Sequence, residues 1–76
     1  MTFSIEKDKD EDIRRILIIV YEALKKQGYS PINQIVGYIL SDDPTFITTY
    51  NNARNLIQKV DRNELLQSLV KFYVNN

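Results

Sequence analysis

Gly28, Pro31 and Pro44 cut the sequence at two places, and those cuts decide what the chain can become. The stretch GYSPINQIVGYILSDDP opens with a glycine suited to a left-handed helix cap, and Ser30-Pro31 follows as a cap residue before a proline at the first helical position. Asp42-Asp43-Pro44 closes the stretch and starts a further turn by the same device. With no other proline and only Gly37 besides, the segments on either side run uninterrupted, and their apolar residues recur at helical spacing.

From about residue 10, Ile13, Leu17, Val20 and Leu24 form one stripe, with Lys25 and Lys26 in the last turn before Gly28. Asp10, Glu11 and Asp12 suit the first turn of that helix. A short second helix from Pro31 is expected to turn Ile32, Ile35, Val36, Ile39 and Leu40 inward. Thr48 or Thr49 is expected to cap a third segment running to about Val60. Asp61 and Glu64 read as a capping box opening the last helix. Nothing alternates with period two over a useful length. The expected fold is all-α, a small bundle of about five short helices. Residues 1–9 are expected to form a mobile, acidic-leaning tail and residues 10–76 a single helical domain.

Seventy-six residues lie near the lower limit for a chain that folds without staples, and there is no cysteine to supply any. Ten basic residues balance ten acidic ones, so no global field draws the protein toward nucleic acid or membrane. Residues 1–12 carry five acids against two lysines and the remainder eight bases against five acids, an asymmetry that lets the start lie against the body. The longest apolar run, Ile16–Tyr21, is far too short to span a bilayer, and the polar first residues lead to the expectation that the protein is not a secreted precursor. A cytoplasmic protein without membrane insertion is expected.

Catalytic chemistry finds no foothold. The chain lacks histidine and cysteine, and no arrangement of carboxylates and lysines is recognisable as a nucleophile with its base. Asp8, Asp10 and Asp12 imitate the start of a calcium loop, but Ile13 and Ile19 stand where its glycine and bidentate glutamate belong. Two isolated glycines make no phosphate-cradling loop. No enzyme, cofactor or metal is expected. One binding alternative is a helix-turn-helix-like nucleic-acid reader: a helix over 50–59 would offer Asn51, Asn52, Arg54, Asn55, Gln58 and Lys59 to base edges. Zero net charge argues against it, since phosphate contacts supply most nucleic-acid affinity.

Two features point to self-association. Ile16–Tyr21 is apolar around the whole helix, and the last helix carries Leu65, Leu66, Leu69, Val70, Phe72, Tyr73 and Val74, too wide a face for one side. At roughly 25 cal/mol per Å², leaving such faces wet forfeits free energy comparable to the stability of a small domain. A homodimer is expected. Gly37 would cost roughly 1 kcal/mol relative to alanine in a helix interior, which a close helix crossing would offset.

The block Gly28-Tyr29, Pro31-Ile32-Asn33-Gln34-Ile35-Val36-Gly37-Tyr38 and Asp43-Pro44, followed by Ala53-Arg54-Asn55-Leu56-Ile57, resembles the IreB/ReoM family of small Gram-positive regulatory phosphoproteins. The likeness runs from about residue 13 to residue 74. It implies an all-helical, non-enzymatic homodimer in the cytoplasm, the substrate of a cell-wall-sensing Ser/Thr kinase and its partner phosphatase. It further implies control of peptidoglycan precursor synthesis, and so of tolerance to cell-wall antibiotics, through Clp protease turnover of UDP-N-acetylglucosamine enolpyruvyl transferase. Phosphorylation of an N-terminal threonine would switch that control off. Aligned on Phe3, that threonine falls just before Met1, leaving Thr2 and Ser4 as phosphorylation candidates. Thr49, Gln58 and Lys59 replace positions that are usually basic, and Thr48 stands where proline is usual, while Arg54 and Arg62 remain. Arg54, Lys59 and Arg62 are the expected partner-binding residues, with Arg54 and Arg62 expected to contribute little to the fold. Pro31, Asn33, Gln34, Gly37, Tyr38 and Pro44 are expected to build the core and the dimer.

Overall fold

The computed structural model describes the backbone of residues 2–75 and the side chains of residues 9–75. It is all-α: α1 (Thr2–Lys26), α2 (Pro31–Ser41), a 3₁₀ turn (Pro44–Phe46), a second 3₁₀ turn (Tyr50–Asn52), α3 (Ala53–Gln58) and α4 (Arg62–Asn75). No strand occurs among the described residues, and no helix among them is long and apolar enough to cross a membrane.

α1 begins at Thr2, well before the start near residue 10 that the acidic run implied. Nothing from Thr2 to Asp10 breaks a helix, so the acids fall inside α1, where Asp10 and Asp12 find side-chain partners in place of exposed amides. Asp12 pairs with Arg15 at 3.1 Å and Asp10 with Lys71 of α4 at 2.9 Å. The other end of α1 follows expectation. Gly28 adopts φ +85°, and the Tyr29 amide donates to the Leu24 carbonyl at 2.9 Å.

The core lies where α1 meets α2 and α3. Ile13, Val20, Ala23 and Leu24 of α1 close on Tyr38 and Ile39 of α2, Ile47 of the connection, Ala53 and Ile57 of α3, and Leu65 of α4. The inward set expected of α2 is only partly right. Ile39 is buried and Ile35 packs against the core, but Ile32, Val36 and Leu40 are exposed, and Tyr38 takes the buried place. Because nearly every side of α2 is apolar, periodicity alone could not choose the face; packing against α1 and the Pro44 turn did.

The expected third helix is broken at its start. Asn51 (φ 55°) and Asn52 (φ 63°) both take the left-handed conformation, which asparagine tolerates better than most residues. The α-helix therefore starts only at Ala53. Thr48 caps the turn, its Oγ1 accepting from the Tyr50 amide at 3.1 Å, and Asn52 Oδ1 accepts from the Asn55 side chain at 2.8 Å. At α4, Glu64 directs its carboxylate to Lys9 of α1 (2.9 Å), away from the reciprocal capping bond expected with Asp61. Apart from Leu65, α4 buries little, and its last two turns stand exposed.

Candidate functional site

The turn between α2 and α3 organises the middle block into one corner. Ser30 sits extended before Pro31 at the start of α2, but its hydroxyl makes no capping bond. At the other end Asp42 takes φ 59° and its amide donates to the Tyr38 carbonyl at 2.8 Å. Asp43 then caps the Pro44 turn, its Oδ1 accepting from the Thr45 amide at 3.0 Å and from the Thr45 hydroxyl at 2.7 Å. These two bonds, the hydroxyl's first, hold the Asp43 carboxyl below the usual carboxylate range, with Arg54 adding a smaller pull. A carboxylate whose pKa is depressed by folding stabilises fully above its unfolded value of about 3.9 and loses that contribution as pH falls through the lower folded value. Asp43→Asn should therefore flatten the acid limb of a pH–stability curve below about pH 4 while moving the neutral plateau less, which chemical denaturation at stepped pH would measure.

Gln34 and Gly37 secure the same corner from α2. Gln34 Nε2 donates to the Phe46 carbonyl at 3.0 Å. A Cβ at Gly37 would lie 2.6 Å from Phe46 Cε1 and 2.7 Å from Cδ1. The close approach expected at Gly37 is thus real, but its partner is an aromatic ring from the turn, not a crossing helix. Tyr38 is buried beside them; burial, then the charge of Asp42, raises its phenol pKa, with Arg62 opposing. Asn33 is exposed.

Arg54 and Arg62 do not stand clear of the fold. Arg54 Nε donates to the Ile47 carbonyl at 2.8 Å. Arg62 Nη1 donates to the Ile39 carbonyl at 2.6 Å while its Nε pairs with Asp42 at 3.2 Å. One guanidinium thus ties the C-terminal end of α2 to the start of α4. Both side chains are half-buried, and only Lys59 of the three is exposed. The expectation that the two arginines contribute little to the fold is corrected by these bonds. The nucleic-acid helix over 50–59 is likewise not formed, since α3 spans six residues and its arginine faces the turn.

An open groove of about 820 Å³ lies elsewhere, between α1, α2 and α4. Leu17, Ile18, Ile35, Val36 and Ile39 line its apolar part. At one end Arg14 stacks over Phe72 with 5.5 Å to the ring centre. The all-round apolar run Ile16–Tyr21 announced this face, whereas the contribution of α2 was hidden by residues expected to point inward.

Comparison with known proteins agrees with the middle block. The model of the family described as IreB regulatory phosphoprotein matches residues 1–75. A UPF0297 protein of Ruminiclostridium cellulolyticum is 50% identical over 76 residues, covering 100% of this chain and 86% of that relative. A UPF0297 protein of Acetivibrio thermocellus is 54% identical over 74 residues, covering 97% and 82% respectively.

Proposed function

Since the chain belongs to the IreB family of regulatory phosphoproteins, we propose that it is a non-enzymatic cytoplasmic regulator switched by a cell-wall-sensing Ser/Thr kinase and its partner phosphatase. In this reading it acts as a homodimer and sets how fast the Clp protease removes UDP-N-acetylglucosamine enolpyruvyl transferase, and through it peptidoglycan precursor supply and antibiotic tolerance. The family match over almost the whole chain carries the proposal. The exposed apolar surface supports the dimer: Ile18 (51% exposed), Ile32 (64%) and Phe72 (54%) line one groove and are costly to leave in water on so small a body. Thr2 and Ser4, the proposed phosphorylation sites, belong to the first turn of α1, and their side chains lie outside the described residues. Lys59 and the exposed edges of Arg54 and Arg62 are the proposed contacts for a client.

Affinity capture from the native cytosol with unmodified and kinase-treated protein tests this. A Clp component or the enolpyruvyl transferase should be retained by the unmodified form and lost on phosphorylation. Equal recovery of neither, or of both, overturns the switch. Replacing Thr2 and Ser4 by alanine should abolish the difference between the two preparations.

A further inference from the structure

Glu11, Arg14, Ile18, Glu22 and Lys25 share one stripe of α1: at about 100° per residue, all fall within roughly 40° of Ile18 around the helix axis. Their charges are antisymmetric about that isoleucine. Arg14 and Glu22 stand at equal steps on either side of it, and Glu11 and Lys25 at equal, longer steps beyond. All five are exposed, Ile18 at 51%. Other α1 charges nearby are paired within the chain: Lys9 with Glu64, Asp10 with Lys71, and Asp12 with Arg15. On the stripe, Glu11, Glu22 and Lys25 make no ion pair among the described residues, and Arg14 lies over Phe72 with no carboxylate bound.

We propose that α1 of a second copy covers this stripe, antiparallel and related by a two-fold axis through Ile18. The proposal rests on the self-association put forward above and specifies its geometry. Antiparallel pairing sets Glu11 against the partner's Lys25 and Arg14 against the partner's Glu22, twice each by symmetry, around an Ile18–Ile18 contact. A parallel pair would oppose like charges at every one of those positions. The antiparallel arrangement alone gives each of these four charges, none of them ion-paired among the described residues, a complementary partner. Exposed pairs of this kind add little raw affinity but select register and orientation. Affinity comes from apolar surface: Ile18, Tyr21 and the groove that α1 shares with α2 and α4 lie along the same side. Arg14 can stay stacked on Phe72 while its guanidinium edge meets a carboxylate, because the two interactions use different faces of that group.

The chain has no cysteine, so single-cysteine variants report contacts without background. Oxidation of Ile18→Cys should give a covalent dimer in high yield, since a two-fold axis at that residue brings the two sulfurs together. Leu40→Cys and Tyr73→Cys, exposed but off the stripe, should cross-link poorly. In sedimentation equilibrium, Arg14→Glu and Glu22→Arg should each weaken dimerisation roughly tenfold or more, and Arg14→Glu/Glu22→Arg together should restore it. Arg14→Glu also gives up the stack on Phe72, and loss of the dimer itself lowers Tm, so an unchanged helical circular-dichroism signal well below Tm checks that folding is intact. A parent chain that remains monomeric removes both this geometry and the self-association beneath it. A parent that dimerises while Ile18→Cys fails to cross-link, or while the double variant fails to recover, places the interface elsewhere and overturns this geometry alone.

Discussion

Gly37→Leu should melt well below the parent chain, although leucine is the better helix former by nearly 1 kcal/mol. The Cβ it adds would stand 2.6 Å from the Phe46 ring, too close for any carbon contact. The ring has little room to retreat. Its backbone is held on both sides, the amide donating to the Asp43 carbonyl at 3.2 Å and the carbonyl accepting from Gln34. The ring itself packs against the buried core. Swinging it into solvent forfeits its burial, and keeping it strains α2 away from the turn. Overpacking of this kind costs about 1–3 kcal/mol, and a residue as large as leucine belongs at the upper end. At about 4–8 °C per kcal/mol for a domain of this size, the net loss should lower Tm by roughly 10 °C. In a Phe46→Ala background, itself less stable, Gly37→Leu should cost much less than in the parent, because the ring it collides with is gone. A Gly37→Leu chain that melts at or above the parent would show that the ring yields freely.

Arg62→Ala should destabilise by about 1.5–3 kcal/mol, the range for bonds from charged donors. It removes two tethers at once: the donor to the Ile39 carbonyl and the cation facing Asp42. The carbonyl lost is one of those at the C-terminal end of α2 that no helical amide satisfies. Arg62→Lys should recover only part of the loss, since an ammonium cannot span both acceptors as the planar fork does. Arg54→Ala should cost somewhat less, having one bond to the Ile47 carbonyl. Thermal melts separate these variants, and client capture is then to be compared well below every Tm. Melting indistinguishable from the parent would mean that water replaces these bonds at no cost and that the arginines are free to serve a partner.

Punctuation was the most legible part of this chain. Gly28, Pro31, Asp43 and Pro44 each sit where backbone restrictions alone place them, because those restrictions act within a residue or two. What stayed hidden depends on contacts far apart in sequence. Lys9 and Asp10 of α1 find their partners at Glu64 and Lys71 of α4, and Gln34 finds its acceptor twelve residues on. The left-handed pair Asn51-Asn52 looked like two polar positions on a helix; only the geometry at Thr48 and Ala53 reveals a kink. The candidate site divided the same way. The excess apolar surface of α1 was visible as a run of six residues, whereas the bonds of Arg54 and Arg62 to backbone carbonyls left no mark in composition or spacing.

α4 has one buried anchor, Leu65, with Leu69 packed against the core one turn on, and its exposed end meets the body through Lys71–Asp10 and the Arg14–Phe72 stack. Local opening there needs little apolar exposure, so amide hydrogens should exchange along a gradient, slowly near Leu65 and fast toward Asn75. Raising salt to about 1 M shrinks the Debye length to about 3 Å and should steepen that gradient without shifting exchange in the α1–α3 core. The end of α4 thus has little local cooperativity, and slowed exchange there on mixing with a partner would mark contact with this side of the protein before any complex is isolated.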